Sequence, residues 1–107
     1  MISITLCRNS KGHIYGFKVL DHGQTEVCSA VSLLTLNTVN SLEAFTDEHF
    51  TCDYNPEGGF LHLELPQVKE GQINFKANLL LESMVLGLKS VKENYNSEIE
   101  IKDDNHD

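Results

Sequence analysis

Between Asp21 and Ser32 an alternating, strand-like stretch gives way within a few residues to a long apolar-periodic one. The side-chain period changes there from two to 3.6, so the chain before the junction belongs to a sheet and the chain after it to a helix. Upstream, Ile2, Ile4 and Leu6 alternate with Ser3, Thr5 and Cys7, and Tyr15, Phe17 and Val19 alternate within residues 13–20. Asn9 and Gly12 suit the turn between them, so the two runs predict a hairpin. Downstream, Val27, Val31, Leu34, Thr38, Leu42 and Phe45 recur at three or four residues and predict a helix over 27–45, with Thr25 as its N-cap. Leu33 and Leu36 widen that stripe, which points to a second buried contact such as a subunit interface.

The same grammar repeats. Residues 49–55 read as a strand with Phe50, Cys52 and Tyr54 on one face, and Asn55-Pro56-Glu57-Gly58-Gly59 is a strong turn signal. Residues 60–65 read as the returning strand, 66–71 as a connector, and 73–92 as a second helix on the stripe Ile73, Ala77, Leu80, Leu81, Met84, Leu88 and Val91. A short last strand over 98–101 adds to a sheet edge. The order is ββαββα plus that strand. It predicts an α+β, two-layer sandwich: two β-hairpins forming one sheet, with two long helices packed on one face. All 107 residues read as a single domain, with the acidic tail from about 102 to 107 expected to fray.

The formal net charge of −8 speaks against direct nucleic-acid binding and permits a basic protein partner. No run approaches the roughly 18 apolar residues of a membrane span. The N-terminal residues lack a basic lead and apolar core, so a cytoplasmic location is expected. Three cysteines without a C-x-x-C pair argue for thiols rather than a disulfide frame. The scattered cysteines and histidines lack metal-ligand spacing, so no metal and no cofactor are expected.

The junction also carries the candidate chemistry. Cys28 falls in the first turn of the predicted helix, where unpaired backbone N–H groups and the helix dipole favour thiolate, the nucleophilic form. His22 lies six residues earlier, at the mouth of the strand. The pattern is that of a cysteine beside a base. The competing reading of each residue is structural: a buried helix cysteine packed on the sheet, and a loop histidine making one hydrogen bond. Cys7, Cys52 and His62 read as structural.

The residues Glu26-Val27-Cys28-Ser29-Ala30-Val31-Ser32 resemble the helix start of the ribosomal-processing cysteine protease family, which reads Asp-Ile-Val-Cys-Ala-Ala-Val-Ser. Val39-Asn40-Ser41-Leu42-Glu43, Gly58-Gly59 and Glu93-Asn94-Tyr95 fit the same family further along, so the resemblance covers nearly the whole chain. It implies a dimeric cytoplasmic endopeptidase that removes the N-terminal extension of a large-subunit (50S) ribosomal protein (L27 type), cutting after aromatic residues. Carried over by position, Cys28 is the nucleophile and His22 the base. Ser32, one turn after Cys28, is a candidate to orient the pair, with helix packing as its other reading, and Thr25 stands where the family has a capping aspartate. His13 also follows a glycine, as the family's histidine does, but it precedes a strand; His22 follows one and is preferred. The chain departs from the family in reading Asp21-His22-Gly23 for Gly-His-Ala and in a shorter loop, Gly23 to Val27. Residues of that number span up to about 20 Å when extended, so the loop bears on substrate enclosure more than on reach. Two other functions remain open: a catalytically impaired dimeric protein that binds a basic ribosomal protein tail, and a redox sensor using Cys28 alone.

Overall fold

A computed structural model describes residues 1–20, 25–56 and 58–105. Strand β1 (Ile2–Arg8) and strand β2 (Ile14–Leu20) form the first hairpin, with Ile4 opposite Val19 and Leu6 opposite Phe17. Asn9 organises the turn. Its side-chain oxygen accepts from the backbone N–H of Lys11 (2.9 Å) and His13 (3.1 Å), and its amide nitrogen donates to the Val68 carbonyl (2.9 Å). Gly12 closes the turn at φ 82°, a backbone region that glycine enters without steric cost. A bulge between Cys7 and Arg8 precedes the turn.

Helix α1 (Thr25–Phe45) leads to the second hairpin, β3 (Thr51–Tyr54) and β4 (Phe60–Glu64). The hairpins join through antiparallel β2 and β4, with Phe17 opposite Leu63 and Val19 opposite Leu61. At this seam a Cβ added to Gly16 would run into the Leu63 carbonyl oxygen, so the position takes only glycine. Strand β5 (Ile99–Asn105) lies parallel to β1 with Ile2 beside Ile99, giving the order β3-β4-β2-β1-β5.

The strand registers put Ile2, Ile4, Leu6, Phe17, Val19, Leu61, Leu63 and Ile99 on one face, all buried. α1 covers it with Val27, Val31 and Leu42, and α3 (Phe75–Asn94) with Ala77, Leu81, Met84, Val85 and Leu88. The helices run antiparallel and close together: a Cβ on Gly87 would stand 2.8 Å from Leu34 Cδ2. The two-layer α+β architecture read from the sequence is the one observed. Among the described residues, no helix is long and apolar enough to cross a membrane.

Several boundaries differ from expectation. α3 begins at Phe75, two residues after the expected Ile73, because the Asn74 side chain accepts from the Ala77 N–H and caps the first turn. Ile73 therefore lies outside the helix and half exposed. The expected connector contains a one-turn helix, α2 (Pro66–Lys69), started by proline. α1 begins at Thr25 itself, so the residue read as its cap is its first helical residue. The tail expected to fray from 102 is paired to β1 as far as Asn105, and the Arg8 guanidinium holds Asp103 at 3.0 Å. Phe45, counted in the buried stripe, is exposed, whereas Leu33 and Leu36, read as a second contact beside the stripe, stand exposed on this single chain.

Candidate active site

The first two turns of α1 are fixed to the sheet by Val27 and Val31, both buried. Cys28 follows Val27 in the first turn, half-buried and packed against the edge of the core. The start of a helix carries the positive end of its dipole. Ser32 stands one turn on, on the same face of the helix, and is exposed. Thr25 lies three residues before Cys28 on the same helix. His22 falls outside the described residues, in the connection between the end of β2 and the start of α1.

Beyond Ser32 a cleft of about 250 Å³ opens between α1 and the β3–β4 turn. Val31, Thr35 and Leu36 form its α1 side, and Tyr54, Pro56 and Phe60 line it from the second hairpin. The turn is shaped by Gly58 and Gly59, at φ 92° and 91°, and by the Gly58 N–H donating to the Asn55 carbonyl at 2.8 Å. The Thr35 hydroxyl is turned into its own helix, donating to the Val31 carbonyl at 2.9 Å, so it offers the cleft little polarity. No charged side chain among the described residues lines it. Such a cleft suits an apolar or aromatic side chain of an extended peptide, one helical turn from a thiol.

The other two thiols lie in different surroundings. Burial, the largest influence, pushes the Cys7 thiol above its ordinary range; Asp104 and Glu64 add to this and Lys18 opposes it. Burial, with Asp53 nearby, pushes Cys52 up as well. Both are held as thiols, the inert form. His13 stands at the hairpin turn beside Phe75, with ring centroids 6.1 Å apart. That is the opposite end of β2 from the junction, so His13 is remote from Cys28. His62 points to the sheet face without helices, opposite Lys18 and Asp53.

Cleft residues such as Tyr54 and Pro56 were not recognised as site residues in the sequence. The only signal was the Asn-Pro-Glu-Gly-Gly turn, which marks a loop but not what it faces. Tyr54, on the face it shares with Phe50 and Cys52, is exposed.

The sequence model of the family described as cysteine protease Prp matches residues 1–100. The chain is 25% identical over 107 residues to the ribosomal processing cysteine protease Prp of Bacillus subtilis, covering 94% of this chain and 96% of that protein. It is similar to a crystal structure of the ribosomal processing protease Prp of S. aureus in complex with a covalently linked product peptide, with a TM-score of 0.87, 25% identity, and coverage of 97% of this chain and all of that one. A Streptococcus mutans protein of known structure is also similar, with 27% identity, a TM-score of 0.81, and coverage of 99% of this chain and 96% of the other.

Proposed function

Because the chain belongs to the cysteine protease Prp family, we propose that it removes the N-terminal extension of a large-subunit (50S) ribosomal protein of the L27 type, using Cys28 as nucleophile and His22 as base. The observation that carries this reading is the position of Cys28, in the first turn of α1 and one turn from an apolar cleft. The Cys28 thiolate attacks the peptide carbonyl, and the backbone N–H groups of the helix start receive the oxyanion. His22 gives its proton to the leaving amine, and a thioester remains on Sγ. Water, deprotonated by His22, then attacks the thioester and releases the new carboxylate and the thiol. Ser32, one turn after Cys28 and on the cleft wall, helps to orient the pair on this reading. The apolar cleft fits a substrate cut after an aromatic residue.

The protein acts as a homodimer in the cytoplasm on this reading. Leu33 on α1 and Leu79 and Leu86 on α3 are 72%, 71% and 70% exposed on the helix layer, away from the sheet. Apolar side chains grouped this way on a helix pair suit burial against a second copy. The test is cleavage of the purified precursor protein. Wild type is expected to shorten it, and Cys28→Ala and His22→Ala are each expected to abolish cutting. Cutting by Cys28→Ala, or binding without cutting by wild type, overturns the reading. In sedimentation, Leu33→Glu with Leu86→Glu is expected to yield monomers; an unchanged mass overturns the proposed interface.

A further inference from the structure

Two helices cannot cover five strands. Strands lie about 4.8 Å apart and packed helices 8–10 Å, so the helix pair falls about one to two strands short of the sheet's width. One uncovered flank is the cleft beside α1. The other lies beyond α3, over β1 and β5, and differs from the first in its charged lining. It is a groove of about 400 Å³ with Leu6, Val85 and Ile101 as its floor. Lys89 and Lys92 stand over it on α3, and Arg8 and Asp103 close one end.

Val85, Lys89 and Lys92 form one stripe along α3, so the groove follows the helix for about 10 Å at 1.5 Å per residue and continues to Asn96 in the turn past the helix end. Its volume over that length leaves room for a single extended chain. The cations differ in availability. Arg8 is committed: its guanidinium pairs with Glu82 at 2.9 Å and Asp103 at 3.0 Å and donates to the Gly12 carbonyl. That leaves Asp103 already neutralised. The Lys92 ammonium donates to the Ile99 carbonyl at 3.0 Å, which holds it over the rim with two N–H groups to spare. Lys89 makes no hydrogen bond or ion pair among the described residues. Glu93 is the remaining acidic group on the rim. In a chain carrying a net charge of −8, three of the eight basic residues line this one groove.

We propose that the α3–β5 groove is a second binding site, separate from the cleft beside Cys28, for an acyl-chain carboxylate. The hydrocarbon lies along Leu6, Val85 and Ile101, and the carboxylate takes N–H groups from Lys89 and Lys92. An extended peptide fits the same width less well. Its backbone N–H and C=O groups would lie against an apolar floor without partners, at a cost of about 1–3 kcal/mol each. A hydrocarbon carries no such cost.

The test uses the whole 15N-labelled protein titrated with laurate below its micelle concentration, with backbone amide shifts as the readout. Laurate is expected to bind saturably, with shifts confined to residues 85–96, 99–103 and 6–8. Lys89→Glu, which disturbs no contact, is expected to weaken binding at least tenfold with an unchanged wild-type spectrum elsewhere. Dodecanol, with the same chain and no charge, is expected to bind at least tenfold more weakly than laurate. No saturation, shifts centred on the cleft beside α1, equal binding of dodecanol, or unchanged affinity in Lys89→Glu would each overturn the proposal.

Discussion

Asn9→Ala isolates what one buried amide does for this fold. Asn9 is 5% exposed and ties together the first turn, the start of β2 and α2 through three hydrogen bonds of 2.9–3.1 Å. Each contributes a net 0.5–1.5 kcal/mol, so the loss comes to about 3 kcal/mol, the Val68 carbonyl keeping the Gly71 N–H at 3.0 Å. At about 4 °C per kcal/mol for a domain of this length, the thermal midpoint falls by about 12 °C. Asn9→Asp separates the bonds. The carboxylate still accepts from Lys11 and His13 but faces the Val68 carbonyl with an oxygen, so at pH 7 it is as unstable as Asn9→Ala. A protonated carboxyl restores the donor. The native state therefore raises that group's pKa, and the stability it contributes is present at acid pH and lost as pH rises through the native value. Urea unfolding at pH 4 and pH 7 is the assay. Asn9→Asp is expected to recover relative to Asn9→Ala at pH 4, with the denaturant slope unchanged. A loss below about 1 kcal/mol in Asn9→Ala, or no pH-dependent gap between the two variants, would refute the role given to the Asn9 network.

Two further perturbations follow from the site and its surroundings. Burial raises the native pKa of Cys7 above the ordinary thiol value, so its contribution is complete below the unfolded value and lost as pH rises past it. The fall in urea stability between pH 8 and pH 10.5 is expected to be shallower in Cys7→Ala than in wild type, and an equal fall contradicts the burial argument. Leu36→Glu places a carboxylate on the wall of the apolar cleft, at a half-exposed position where stability changes little. Peptide KM is expected to rise at least tenfold with the thermal midpoint nearly constant; an unchanged KM removes the cleft from substrate binding.

Most of the sheet and both long helices were legible because each carries a full period of buried side chains. Ile2, Ile4 and Leu6 alternate, and Val27, Val31, Thr38 and Leu42 recur and are all buried. What was misread lacked that signal. α2 is one turn long and shows no periodicity. In β5 the side chains of Lys102, Asp103 and Asp104 suggested a solvated tail, but strand pairing is made by the backbone and is indifferent to them. Phe45 shows that apolar identity does not fix which side of a helix meets the sheet. At the site, Cys28 was legible from its place at a helix start. The cleft was not, since Tyr54 and Pro56 meet Ser32 and Leu36 only through the packing of the second hairpin against α1.

The central claim is that Cys28 is an activated nucleophile while the other two thiols are not. The direct measurement is the rate of iodoacetamide modification against pH, mapped to each cysteine by mass, in wild type and His22→Ala. Cys28 is expected to react first, with an apparent pKa below the free value of about 8.5, while Cys7 and Cys52 lag, and His22→Ala is expected to lose that advantage. If Cys28 reacts no faster than a free thiol, or if it is equally fast without His22, the proposed cysteine–histidine pair is wrong.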